Sequence, residues 1–554
     1  MFPKLGHFWL DSGLVGLKEM LEKAKTEVLV SINENNLILQ GSKESIQSCL
    51  ETAYDLLVEK YYNLSTQKQH DDIENYNFYY DNREDCFKKF PKRKSAGIAE
   101  IVYNKAPRPV SSSIKWVEKT KREIKSGKKT IKRTRGILPS SYAHLQERMD
   151  KFLDENNLDV TTSGLLVDGP NAVRPNVEIR VGDGKAKGVC YLCGEPSNIL
   201  EEAKETTFPL ITGSSGVLSF NSQAGNPEKV CWKCSLLGKF VPVSGFYLSQ
   251  GDHMFVFLPY SASLEKMVEV FNPLHEAEYL HPNLYYNFNH SLGGYFQRPF
   301  EVTFTFLYTL YEKVLLQKKG EKKEQFKELS WETLYNLIRS KASLDFYVLH
   351  AKKEGNTFSC KMAWPFRDSD YFFRLMNKIE RVGIGTREVM RLLVDNEQPK
   401  NENKTLMRNR ICERILKKQA ILDLMESYVY QANLSYLKPL VDFLIIYESE
   451  REGGRMTKEE QQAAVTLGRR IGTAVGKGND RKKGDLFSLR KARTKVDFLE
   501  QLNRLQFKFK PEDNFIIPAD IYEGKLTDEN FTEFKQWCMI AALNSFNAAI
   551  SKTS

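Results

Sequence analysis

The chain holds 554 residues, of which 41% are apolar and 27% charged, with 33 Phe, 25 Tyr and 6 Trp. That balance excludes wholesale disorder, and a chain this long and aromatic can bury its cores without disulfide staples. The 81 Lys and Arg against 71 Asp and Glu give a net charge of only +10, so the distribution of charge matters more than its sum. Nine cysteines, sparse and odd in number, argue against a secreted disulfide scaffold. Residues 1–9 lack the basic start and apolar run of a signal peptide, and the most apolar stretches, such as 302–316, carry charge and stop short of a span of ~18 residues. A cytoplasmic protein without membrane segments is expected.

In chain order, residues 27–32 and 36–40 alternate as two short strands. Ser42 can cap a helix carrying Ile46, Leu50, Tyr54, Leu57 and Tyr61. Residues 69–85 are polar and read as a loop. In residues 115–135, Trp116 and Ile124 suggest a helical piece that Ser126-Gly127 ends. Residues 160–187, with Gly164, Gly169-Pro170, Pro175, Gly182 and Gly184, read as loop-rich. Strand-like runs follow at 241–248 and 253–259. Beyond Val302 the pattern turns helical, with candidates at 302–317, 330–352, 369–382, 387–394, 404–427 and 437–448. A break at 452–455 precedes a last, mostly helical segment. The expected fold class is α+β: a mixed N-terminal region with an inserted zinc-ribbon-like module, followed by a mainly α-helical C-terminal bundle. The corresponding regions are 1–140, 141–300, 301–455 and 456–554.

Four cysteines fall into two pairs, Cys190-Tyr-Leu-Cys193 and Cys231-Trp-Lys-Cys234. Two sulfurs separated by two residues converge from one turn, and two such turns complete the tetrahedron that zinc prefers. The gap from Cys193 to Cys231 is longer than the usual ~15–20 residues, which an inserted hairpin or loop accommodates. Redox use of the pairs and unliganded thiols are the rival readings. A closed four-sulfur site leaves no open position, so the expected cofactor is a structural Zn2+. Cys49, Cys86, Cys360, Cys412 and Cys538 read as ordinary buried thiols.

The basic residues cluster. Residues 115–135 hold ten Lys and Arg against Glu118 and Glu123, and residues 469–495 hold ten against Asp480 and Asp485. A solvated face is the bland reading of each strip, and a nucleic-acid backbone the sharper one, because single-sign charge releases condensed counterions. The residues placed on nucleic acid are Lys128, Lys129, Lys132, Arg133 and Arg135 in the first strip, and Arg469, Arg470, Arg481, Lys482 and Lys483 in the second. Gly472, Gly476 and Lys477 imitate a phosphate loop but have the wrong spacing. Gly468, Gly472 and Gly476 read as a thin helix face that admits a close neighbour, or as a flexible segment. His70-Asp71 reads as a polar loop dipeptide. No metalloprotease, nucleophile-elbow or kinase signature is present, so no catalytic residue is expected.

The opening Gly6-His7-Phe8-Trp9-Leu10-Asp11-Ser12-Gly13-Leu14, taken with the two cysteine pairs and the intervening Phe208-Pro209-Leu210 and Ser219-Phe220-Asn221-Ser222, resembles one known family. That family is the two-CxxC branch of large subunits of the type I-B CRISPR surveillance complex (Cascade). The resemblance implies a non-enzymatic subunit beside the 5′ handle of the guide RNA. It would read the protospacer-adjacent motif on double-stranded DNA and help open that duplex. It would stabilise the displaced strand and dock the helicase-nuclease that cuts, alongside backbone, handle-binding and small subunits. Beside the cysteine module, Asn221, Ser222, Gln223, Lys229 and Lys233 are candidates to face a groove, though Asn221 and Gln223 also suit turn caps. The segment from Met456 is similar in kind to the small subunit of such complexes, and Met456 is a candidate internal translation start, with Met407 and Met425 as alternatives. A stand-alone zinc-ribbon nucleic-acid-binding protein is the alternative reading. A metal-dependent nuclease would require clustered carboxylates or histidines that the sequence does not show.

Overall fold

The computed structural model describes residues 1–57, 76–91, 112–126, 129–168, 177, 179, 186–201, 229–250, 252–268, 292, 296–311, 345–354, 357–367, 369–432, 434–451, 456–478, 483–509 and 515–551. The chain divides into two compact units, Met1–Tyr286 with Leu344–Pro365, and Asn287–Ser343 with Phe366–Ser554. The first is mixed α and β, the second is helical in its described parts, and the fold class is α+β. Among the described residues no helix is long and apolar enough to cross a membrane.

In the first unit, helix α1 (Phe8–Lys23) opens on the resembling motif, and the geometry gives its residues local work. His7 caps the helix, its Nδ1 accepting from the backbone N–H of Trp9 at 3.1 Å and of Leu10 at 3.4 Å. Asp11 is fully buried, accepts from Leu5 N–H at 2.8 Å and pairs with Lys4 Nζ at 2.9 Å. Burial pushes its carboxyl up and Lys4 opposes that. Strands β1 (Phe2–Pro3), β2 (Leu29–Ile32) and β3 (Asn36–Gln40) form a sheet of order β1-β3-β2, as the alternation predicts for the last two. Ser42 Oγ accepts from Ser45 N–H at 3.0 Å and starts helix α2 (Lys43–Leu57), which buries Leu50, Tyr54 and Leu57. Tyr61 lies outside the described residues.

Two expectations for the next segment are corrected. Within residues 69–85, strand β4 (Tyr76–Asp81) replaces the expected loop. It pairs with β5 (Cys86–Pro91) in a four-stranded sheet of order β5-β4-β9-β6 that includes β6 (Ser112–Lys115) and β9 (Gly164–Val167). Alternating aromatics drive this: Phe78 joins a core with Leu165 and with Met149 and Leu153 of helix α3 (Gln146–Glu155). The basic strip is a hairpin of β7 (Glu118–Ser126) and β8 (Lys129–Ile137), not a helix. Trp116 and Ile124 misled because their spacing fits a helix. The governing signal is the β-branched content, Thr120, Ile124, Thr130, Ile131 and Thr134, on either side of a Gly-containing break.

Past the cysteine module, helix α4 (Trp232–Ser244) occupies the first half of the run expected as a strand at 241–248, and strand β14 begins only at Phe246 (Phe246–Gln250). Strands β15 (His253–Tyr260), β16 (Asp345–Glu354) and β17 (Thr357–Phe366) complete an antiparallel sheet in chain order. The expected helix at 330–352 is thereby corrected over 345–352, a strand whose residues from Val348 to Ala351 are buried on both faces. Residues 330–344 lie outside the described set.

The second unit holds α5 (Pro299–Tyr311), α6 (Ser369–Arg381), α7 (Thr386–Leu392), α8 (Leu406–Leu416), α9 (Leu422–Gln431), α10 (Lys438–Glu450), α11 (Lys458–Lys477), α12 (Gly484–Arg490), α13 (Lys495–Lys508) and α14 (Phe531–Ser551). The expected single helix over 404–427 is two, broken where Lys418 takes a positive φ of 55°. A buried ion pair ties α5 to α8. Arg408 Nε reaches Glu301 Oε2 at 2.8 Å, the guanidinium lies 4.0 Å from the Phe296 ring centre, and Glu301 Oε1 accepts from the N–H groups of Gln297 and Arg298. Every charge there is matched, as a dry interior demands. Thr457 and Glu460 form a reciprocal capping box at the start of α11. Its three glycines resolve as a thin face: a Cβ on Gly468 would lie 2.1 Å from Cys538 O, and one on Gly472 2.0 Å from Ala542 O, both on α14. Tyr430 of α9 donates to Met539 O at 2.9 Å, so residues 456–551 pack within the same unit as the helices before them.

Two predictions follow from this packing. An exposed helix gains about 1 kcal/mol from Gly→Ala. Gly472→Ala should instead lower stability by about 1–3 kcal/mol through overpacking, read as a lower urea midpoint at unchanged slope. In the first unit, His253 Nδ1 and His350 Nε2 sit 2.8 Å apart. Burial, then the neighbouring His253, depresses His350 from 6.5 to about 4. The unfolded chain takes up this proton below about 6.5 and the folded chain only near 4, so stability is complete above 6.5 and falls across that window by up to about 3 kcal/mol. His350→Gln should flatten the urea midpoint against pH between 6.5 and 4, and an equally steep profile would refute the assignment.

Candidate metal centre

The two cysteine pairs meet. All four Sγ atoms lie within 4.8 Å of one another. Cys193 Sγ and Cys231 Sγ are 3.7 Å apart, and zinc–sulfur bonds of about 2.3 Å around a tetrahedron place sulfurs about 3.8 Å apart. None of the four is in a disulfide. Among the described residues this is the one group of three or more His, Cys, Asp or Glu side chains close enough to share an ion.

Local chemistry sets each pair. The first sits on a knuckle between β10 (Gly188–Val189) and β11 (Pro196–Ser197), closed by Cys190 N–H to Glu195 O at 2.9 Å and Gly194 N–H to Cys190 O at 3.0 Å. Gly194 has φ +72°, a conformation only glycine takes without strain. The second pair leaves a short strand and enters a helix. β12 (Leu200–Glu201) pairs with β13 (Val230–Cys231), Cys231 is the N-cap of α4, and Cys234 lies in its first turn. Helix N–H groups and the positive end of the helix dipole favour thiolate there, and Cys231 N–H donates to Cys190 Sγ at 3.2 Å.

A strand followed by a CxxC at a helix start is also the placement of a redox dithiol. The two further sulfurs within the same radius set this site apart. Cys190, Cys231 and Cys234 are almost fully buried and Cys193 is half-buried, the character of a closed structural centre. The four thiols interact: hydrogen bonds from Cys193, Cys231 and Cys234 pull the Cys190 thiol down, while Cys234 is pushed up by Cys190, Cys193 and Cys231. Four buried sulfurs at tetrahedral spacing fit one thiophilic ion, which would enter by displacing the thiol protons.

The surroundings hold the frame. Ser235 Oγ donates to Glu201 at 2.9 Å, and Lys233 Nζ pairs with Glu195 Oε2 at 2.8 Å, linking the helix to β12 and to the β10–β11 knuckle. Helix α1 lies flat against α4: a Cβ on Gly13 would come 2.1 Å from Leu237 O, and one on Gly16 2.2 Å from Phe240 O. Gly13, already part of the opening motif, is joined by Gly16, Glu195 and Glu201, supporting residues not singled out in the sequence. The small-x-x-small spacing of the two glycines was the signal available.

The structure distributes the nucleic-acid candidates unevenly. Lys229 is exposed, Lys233 is engaged with Glu195, and Asn221, Ser222 and Gln223 lie outside the described residues, as do Lys128, Arg481 and Lys482. In the hairpin, Lys129 pairs through its backbone with Ser126, Lys132 is exposed 3.6 Å from Glu123, and Arg133 reaches Asp159 at 3.4 Å. Arg135 is corrected: it is 4% exposed, paired with Asp150 and Asp154 and bonded to Leu158 O at 3.2 Å, so it fastens the hairpin and is closed to a phosphate. Arg469 and Arg470 are exposed on α11, Arg470 also donating to Ile516 O at 3.2 Å, and Lys483 sits half-buried at the start of α12. His70-Asp71 is outside the described residues.

Purified protein should carry one metal ion per chain by elemental analysis, and Cys234→Ser should abolish it. Because the ligands must be deprotonated, retained metal should fall as pH is lowered, with thiol titre rising in step. Full metal content in the Cys234→Ser protein would refute a four-sulfur site.

The chain matches no protein-family model and no curated protein, so the reading of this centre rests on its own geometry.

Proposed function

We propose that the chain is the non-catalytic large subunit of a type I-B-like RNA-guided surveillance complex, with a structural Zn2+ on Cys190, Cys193, Cys231 and Cys234. The observation that carries the reading is the seating of α1 on α4. The opening motif and the second cysteine pair, far apart in sequence, are parts of one packed piece, so the resemblance rests on a connected structural element and not on scattered matches. The basic hairpin and the arginines of α11 supply positive surfaces of the kind that duplex and displaced strand require. In this role base pairing with the guide RNA reads the target, and the protein reads the adjacent motif and the backbone. It would work in the cytoplasm beside the 5′ handle, with backbone, handle-binding and small subunits, and recruit a separate helicase-nuclease.

Affinity purification of the tagged chain from its native host tests this. A short RNA of uniform length should co-purify with several other subunits and survive a salt wash. A chain that binds duplex DNA and brings down no such RNA would be a stand-alone nucleic-acid-binding protein. Reproducible Mg2+- or Mn2+-dependent cutting of plasmid by the pure chain would overturn the non-catalytic assignment.

A further inference from the structure

Strands β7 and β8 form a two-stranded sheet of their own, with nine paired positions from Glu118–Ile137 to Ser126–Lys129. Such a ribbon is about 30 Å long. A two-stranded ribbon standing alone is marginal in water, and like charges gathered on one face weaken it further. Among its described side chains only Arg135 is buried, and none of them adds an apolar group to the core beneath.

Its two faces do different work. Register places Lys119, Lys121, Glu123, Lys132 and Thr134 on one face, and Arg133 and Arg135 on the other. The arginine face is tied down, Arg135 on Asp150 and Asp154 of α3 and Arg133 on Asp159, whose carboxylate also accepts from Thr134 N–H at 2.8 Å. Val160 N–H donates to Thr134 O at 3.1 Å. At the root of the other face, Trp116 packs where a Cβ on Gly136 would lie 2.4 Å from its ring, and its Nε1 donates to Thr162 O at 3.1 Å. The ribbon is therefore held firmly at its base. Lys119, Lys121 and Lys132 are exposed, and among the three, in the described residues, it is Lys132 that forms an ion pair, with Glu123 at 3.6 Å.

We propose that this ribbon lies in the major groove of double-stranded DNA, with Lys119, Lys121 and Lys132 on the phosphates and the arginine face turned to the protein. The inference deepens the proposed function and rests on it in one respect, that the target is DNA. Dimensions favour a duplex. The major groove is about 12 Å wide and admits a two-stranded ribbon. Residues two apart on one strand are about 6.8 Å apart, which equals two base steps of about 3.4 Å. A single strand has no groove to receive a ribbon, and its binding calls on a series of stacked aromatic side chains; the aromatic described at the lysine face is Trp116, which is packed over Gly136 and bonded to Thr162 O.

The test uses the full chain. Binding to a fluorescein-labelled 20-base-pair duplex, and to one of its strands alone, is measured by anisotropy between 50 and 200 mM NaCl. It is done for the native protein, the triple variant Lys119→Ala/Lys121→Ala/Lys132→Ala, and the triple Lys→Arg variant. Circular dichroism and metal content serve as folding controls. The alanine variant should lose at least tenfold in duplex affinity at 50 mM and reduce the magnitude of the log–log salt slope by about 2–3. Single-strand binding should change less, and the arginine variant should restore the duplex. Unchanged duplex affinity and slope would overturn the proposal, as would an equal loss on the single strand or a loss confined to binding of other subunits. An alanine variant that keeps duplex binding yet still brings down a uniform RNA from the host would sink the ribbon alone and leave the proposed function standing.

Discussion

Backbone against backbone is the contact on which the first unit depends. Helix α1 meets α4 at Gly13 and Gly16 so closely that no side chain fits between them. The N-terminus of α4 carries Cys231 and Cys234, so the position of α1 fixes where two of the four sulfurs point. Leu14 and Leu17 of α1 and Phe240 of α4 are fully buried around that seam, beside Leu50 and Tyr54 of α2. The four-cysteine cluster is thus built on a helix pair clamped by core packing and not on a loose loop. The same seam gives a reason for Asp11: buried in the first turn, it gathers Lys4 and the Leu5 N–H, and pins the N-terminal strand beside the helix.

The second unit solves a similar problem in a second way. Gly468, Gly472 and Gly476 let α11 sink onto α14, where Ala541, Ala542 and Ala549 present equally small side chains. Close approach trades side-chain volume for backbone contact and leaves the other face of α11 free to carry Arg469 and Arg470. Elsewhere in the unit the device is electrostatic, with Glu301 and Arg408 neutralising each other away from water. A like arrangement recurs at the partly buried Arg490, which grips Glu426 with two nitrogens and lies 4.8 Å from the Tyr430 ring centre. Basic residues in this protein therefore belong to two populations. Some are structural, matched to a carboxylate inside. Others stand outward without such a match, and these carry the functional argument.

Counting charge along the chain could not separate those populations. Residues 115–135 read as one basic strip, yet Arg133 and Arg135 turn inward to Asp159, Asp150 and Asp154, while Lys119 and Lys121 turn outward. The partition follows from the two-residue alternation of a strand, so the misassigned helix and the misassigned Arg135 are one error. A helical reading of the strip mixes the two faces that a strand keeps apart. The strand at 345–354 was missed for a related reason: a short apolar run has no period that distinguishes a buried strand from a buried helix.

The sequence by itself determined the set of four cysteines, the early strands and caps and most of the later helices. Each of these is local: sulfur spacing, a capping serine, or periodicity within a dozen residues. Tertiary structure alone decided that the two distant cysteine pairs converge, that the opening motif docks on the helix of the second pair, and that Arg408 is balanced by Glu301. Those facts depend on which surfaces meet across long stretches of chain, and a linear pattern holds no record of the distance between residues that only folding brings together.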